Sequence, residues 1–112
     1  MSTVGNTRPS WQLDACPHWC TGGHAEHDHP DDRVHRSAAL AVPVVARRTI
    51  FDSGELRRSE RATEFEVAVS RVDGETATWA YVGDGPAMFI EVTLESAARL
   101  VDALGDALVR SR

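Results

Sequence analysis

The alternation of apolar and polar positions divides this chain into an irregular front and a patterned body. From Ala38 onward, Leu40, Val42, Val44 and Ala46 recur at every second position, the period of a strand with one covered face. Pro43 has no N–H to give to a ladder, which puts that strand at a sheet edge. Ile50 and Phe51 can continue it beyond Arg47 and Arg48. Asp52-Ser53-Gly54 reads as a turn, and the charged residues 55–61 as a loop or a short helical turn. Residues 63–72 give a second strand, with Phe65, Val67 and Val69 on one face and Glu64, Glu66 and Ser70 on the other.

Asp73-Gly74 is a hairpin signal, because both residues tolerate the positive φ of primed turns. Residues 76–82 read as the return strand, carrying Trp79 and Tyr81. After the turn Gly83-Asp84-Gly85-Pro86, residues 87–92 form a further strand. Met88, Ile90 and Val92 share one of its faces and Phe89 takes the other. Thr93 then suits a helix N-cap, with Glu95 favourable in the first turn. Ala97, Val101, Leu104 and Leu108 follow at helical spacing, and Leu94, Ala98 and Leu100 widen the apolar face. Gly105 weakens this helix by about 1 kcal/mol relative to Ala.

The predicted fold class is therefore α+β: a small antiparallel meander of three or four strands, with one C-terminal helix packed on a face. Its expected core is Val67, Val69, Trp79, Ile90, Val101 and Leu104. The front of the chain has no such periodicity. Residues 1–13 are polar and read as a flexible tail, with Trp11 and Leu13 as its first anchor. Residues 14–37 contain Pro17, Gly22, Gly23, Pro30 and a dense charge run, which leave room for no long helix or strand. Residues 14–112 are expected to form a single domain, its irregular N-terminal segment clipped to the body by zinc.

Composition narrows the possibilities further. With 112 residues and 42% hydrophobic content, the chain fits one globular domain and not a disordered one. The net charge of −5 is a poor match for nucleic acid or an anionic membrane, which call for a basic field. Arg47, Arg48, Arg57, Arg58 and Arg61 form a local basic patch, read as a solvated loop face before a polyanion contact. No stretch approaches the ~18 apolar residues of a membrane span. Residues 1–14 hold no apolar run of the kind that opens a secretory signal. The expectation is a cytoplasmic protein, where thiols stay reduced and two close cysteines argue for metal or redox work before a disulfide.

The chemistry is concentrated in the front. Both cysteines and all five histidines fall between Cys16 and His35. Thiolate and imidazole are the ligands zinc prefers, four of them in a tetrahedron at a structural site. Cys16-Pro17-His18-Trp19-Cys20 sets two thiols four residues apart, and on a helical turn opened by Pro17 they project from one side. Gly22-Gly23 lets the chain swing back to His24. For the fourth ligand, His27, His29 and His35 all remain open, with Asp28, Asp31 and Asp32 able to orient a ligand imidazole. A buried metal-free Cys pair and a Cys16–Cys20 redox switch are the competing readings. There is no G-x-S-x-G, phosphate-binding Gly loop or H-E-x-x-H.

Cys16-Pro17-His18-Trp19-Cys20, then His24, then His35-Arg36-Ser37, resembles a group of small uncharacterised actinobacterial proteins. Their pattern is C-P-x-W-C, a following His, and H-R-S a few residues before a β-rich body. Residues 94–100 are similar to the L-x-x-A-x-x-L helix that ends those proteins. The resemblance covers roughly residues 16–108 and implies Cys16, Cys20, His24 and His35 as the metal-ligand set, with His27 and His29 outside it. No settled activity comes with it. The expected function is a non-catalytic binding or regulatory module with a closed Cys2His2-type zinc site and a protein partner or a second copy. The alternatives are a zinc-dependent hydrolase, with an open metal position and Asp31, Asp32 or Glu26 as general base, and a metal-free module that binds through the strand edge at residues 40–46.

Overall fold

The computed structural model describes residues 8–112, so residues 1–7 of the expected tail lie outside the described residues. Five strands form one open antiparallel sheet: β1 (Val34–Arg36), β2 (Leu40–Asp52), β3 (Glu55–Val72), β4 (Trp79–Gly83) and β5 (Phe89–Thr93). Helix α1 (Leu94–Arg110) follows β5 directly. The α+β layout is the expected one, with more strands than the expected three or four.

The long central strand β3 organises the sheet. β1 pairs with its last turn of residues, Val34↔Val72 through Arg36↔Ser70. β2 pairs with the rest, Leu40↔Val67 through Asp52↔Glu55. β1 and β2 therefore lie along the same side of β3, and Pro43 sits on a free edge as its missing donor requires. On the other side, β4 pairs only with residues 66–70 of β3, and β5 pairs with β4. The distal part of the β2–β3 hairpin is thus a two-stranded arm.

That arm corrects one expectation. Residues 55–61 are strand, not a loop or helical turn. Their charge hides the pattern: with both faces of the arm exposed, no apolar alternation is demanded. Arg47 pairs there with Glu60 at 3.0 Å, and Arg61 reaches Asp84 at 2.8 Å. The turn at Ser53-Gly54 holds both residues at positive φ, 52° and 80°.

The connection at Asp73-Gly74 also differs. Strand pairing resumes only at Ser70↔Trp79, so the link is longer than a two-residue hairpin. Gly74 does take the left-handed φ of +84°. At this turn Asp73 is bonded to the N-terminal segment, as described below.

α1 begins as the sequence predicts. Thr93 is its N-cap, and its hydroxyl accepts from the N–H of Ser96 at 3.2 Å. Replacing an N-cap Thr by Ala costs about 1 kcal/mol. Thr93→Ala should therefore lower the unfolding free energy by that amount, seen as a lower urea midpoint with an unchanged m-value; no loss would show that α1 contributes nothing to cooperative unfolding.

The expected packing of α1 on the sheet reaches no further than its first turn. From Ala98 onward every helix residue is exposed, with Val101 at 69% and Leu104 at 62%. Of the expected core, Val67 and Val69 are half-buried, while Trp79, Ile90, Val101 and Leu104 are exposed. The reason is the junction: β5 ends at Thr93 and α1 starts at Leu94. A strand-to-helix link usually has two to six residues in which to reverse the chain onto the sheet. With none, the helix runs off the end of its strand. No helix among the described residues is long and apolar enough to cross a membrane.

Candidate metal centre

Four donors from three separate pieces of chain meet beside β1. Cys16, Cys20, His24 and His35 each offer a ligand atom, and these atoms lie within 4.8 Å of one another. Cys16 and Cys20 flank a tight turn closed by the Cys20 N–H on the Pro17 carbonyl at 2.9 Å. It is a β-turn and not the helical turn expected, yet it still brings both thiols to one side. Gly22 and Gly23, both at φ +78°, then reverse the chain so that His24 returns to Cys20. Side chains with a Cβ rarely adopt that conformation, so the glycine pair is what makes the return possible. The segment is fastened to the sheet where the Thr21 N–H bonds the Arg36 carbonyl at 2.9 Å.

His35 comes from the sheet. It is central in β1, opposite Arg71, and it is completely buried. Its Nε2 lies 2.9 Å from Oδ1 of Asp73, whose side chain is only 4% exposed. A carboxylate only accepts, so the proton of this imidazole is on Nε2 and Nδ1 presents a lone pair. Nδ1 is buried and has no hydrogen-bond partner among the described residues. Buried polar atoms are rarely left without one.

Asp73 is itself tightly held. Its two oxygens accept the N–H of Leu13 at 2.7 Å and of Asp14 at 3.2 Å. Burial works against its charge, but those two N–H groups and His35 outweigh burial and hold the carboxyl below its ordinary range. Asp14 returns the bond by accepting the Gly74 N–H at 2.8 Å. Trp11 completes the enclosure. Its ring stands edge-on to His24 at 5.5 Å, its indole N–H bonds the Ala25 carbonyl at 2.8 Å, and Arg33 lies over its face.

The two thiols differ. Burial raises the pKa of Cys16, and the neighbouring Cys20 adds to that. Burial also opposes ionisation of Cys20. The hydrogen bonds it accepts, that of the Gly22 N–H first, more than compensate, and its pKa falls to about 6. The Gly22 N–H points at Cys20 Sγ from 3.4 Å. The lowered pKa of Cys20 favours the thiolate, the form that binds metal.

One donor pair already stands at the spacing of a tetrahedral ion. Zinc bonds of about 2.3 Å to sulfur and about 2.0 Å to imidazole nitrogen put the S–N edge of a tetrahedron at about 3.5 Å. Cys20 Sγ and His24 Nε2 are 3.5 Å apart. A family profile for a domain of unknown function, DUF6907, matches residues 2–112. The chain belongs to the DUF6907 family. No curated protein and no solved structure matches it.

Within this DUF6907 domain the other sequence candidates stay outside the cluster. His29 is exposed, and its Nδ1 accepts from the Asp31 N–H. His18 and His27 are exposed as well. Asp28 caps the Ala25 N–H, Glu26 takes both the N–H and the hydroxyl of Ser10, and neither these nor Asp31 and Asp32 join the metal-spaced donors. The carboxylate bonded to the buried His35 imidazole is Asp73, which the sequence offered only as half of a turn. The signal that could have found it was β1. Once Val34–Arg36 is paired with 70–72, Asp73 must fall beside His35.

Proposed function

We propose that this protein is a small zinc-binding module of the cytoplasm, non-catalytic, in which a closed Cys2His2 site fixes the N-terminal segment to the sheet for binding or regulation. The observation that supports it best is the buried His35 ring. Nε2 is occupied by Asp73, and Nδ1 is left unpaired on a ring whose ligand-spaced neighbours are two thiols and a second imidazole. That is the carboxylate–histidine–metal arrangement in which an outer carboxylate sets the tautomer and the ring angle. Thiolate and imidazole together favour zinc over magnesium or calcium, which take oxygen ligands. Four protein donors fill a tetrahedron and leave no position for a water nucleophile, which supports a structural role over a hydrolytic one. Both cysteines are unpaired thiols, as a reducing compartment keeps them.

When bound, the ion would join three chain pieces. Cys16 and Cys20 hold the turn, His24 the returning loop, and His35 the sheet. Elemental analysis of protein purified under reducing conditions without added metal should give about one zinc per chain, and cobalt exchanged into the site should show thiolate charge-transfer bands. Protein free of any bound metal that also fails to take up zinc or cobalt would end the proposal.

A further inference from the structure

This protein exposes more surface than a compact chain of its size. Its accessible surface is 8491 Å². A compact monomer of 12.2 kDa exposes about 6,000 Å². Residues 1–7 can account for at most about 1,100 Å² of the difference, at the unfolded-chain value. The remainder, above 1,000 Å² per chain, exceeds the ~800 Å² that each partner gives to a standard interface. The radius of gyration agrees: 18.7 Å, against about 13 Å for a compact chain of this length. Ala80 is the only hydrophobic residue among those described that is fully buried.

The uncovered surface has two complementary parts. The first is a row across four strands, Leu40–Val67–Val82–Ile90, set side by side by the strand registers. Its ends, Leu40 and Ile90, are both more than half exposed. The second is α1. Leu94, Ala97, Val101, Leu104 and Leu108 alternate at spacings of three and four, the seam by which helices bury an apolar stripe. Glu95, Arg99, Asp102, Asp106 and Arg110 all lie off that seam, and the positions flanking it are Ala98, Leu100, Gly105 and Ala107. A helix with its charges confined to one side has a face meant for burial.

Beyond its first turn the helix does not lie on its own sheet, because no residue separates Thr93 from Leu94. We propose that a second copy of this chain covers both parts, in a two-fold dimer where α1 of each protomer lies against the exposed sheet row and helix seam of the other. A second copy suits the observations better than another protein. Both the helix and the apolar row it would cover are on the same chain, so one rotation buries each of them twice. The uncovered surface is also the chain's missing core, so its cover must be present whenever the chain is folded.

Sedimentation equilibrium of the full chain at micromolar concentration tests this. The expected mass is twice 12.2 kDa, with a thermal midpoint that rises with protein concentration. Val101→Glu with Leu104→Glu should abolish the dimer, whereas Val109→Glu, equally exposed but off the seam, should keep it. If the double variant fails to fold, the concentration dependence of the unchanged chain decides: present, it supports the dimer, and absent, it overturns it. A folded single-chain mass overturns the proposal, as does a dimer that survives the double variant. So does a monomer that gains mass only with duplex DNA, which would give the arm's arginines the interaction instead.

Discussion

His35→Ala is expected to release the metal and loosen the N-terminal segment in one step, while His29→Ala leaves both unchanged. His35 is the one donor that is both completely buried and part of the sheet, so its loss cuts the tie between the ion and the body. Two thiolates and His24 would remain, with water in the fourth place. Apparent binding free energies of structural zinc sites run to about 10–16 kcal/mol, and that energy acts as folding energy for whatever the ion organises. Removing one of four ligands should weaken binding by at least about a hundredfold, more than the 10–100-fold typical of an outer-shell change. Competition with a chromophoric chelator gives the affinity. Hydrogen exchange shows where order is lost: residues 11–29 should lose protection first, and strands β3 to β5 should keep theirs. Metal loss from His29→Ala with retention in His35→Ala would mean that the fourth ligand has been misassigned.

Asp73→Ala should lower zinc affinity about 10–100-fold without removing a single ligand. Asp73 fixes the tautomer of His35 and also anchors the backbone N–H groups of Leu13 and Asp14. Asp73→Asn retains one oxygen acceptor but not two, so it should recover part of the affinity. That graded order distinguishes a positioning carboxylate from a merely structural turn residue, for which Asn would replace Asp at little cost because both tolerate turns. Equal zinc affinity in all three proteins would remove Asp73 from the site.

The body was legible wherever one face of an element is covered. Phe65, Val67 and Val69 announce β3, and Thr93 announces the helix start through its own hydroxyl. β1 escaped notice because three residues carry no period, and the distal arm because exposure of both faces leaves no pattern to read. The donor set is a middle case. Cys16, Cys20 and His24 are local, and a turn plus two glycines suffices to gather them. His35 enters the set through the family resemblance and not through spacing, since its approach depends on β1 pairing with β3.

By itself, then, the sequence determined the elements from residue 63 onward, the confinement of every thiol and imidazole to one segment, and the type of chemistry that segment can perform. These follow from side-chain identity and near-neighbour geometry. Only the tertiary structure decided that Asp73 orients His35 from 38 residues away. It also decided that α1 departs from its own sheet and leaves a stripe that looked like core facing outward. Periodicity reports which residues seek burial, but the chain path between elements decides whether the same molecule can supply the cover.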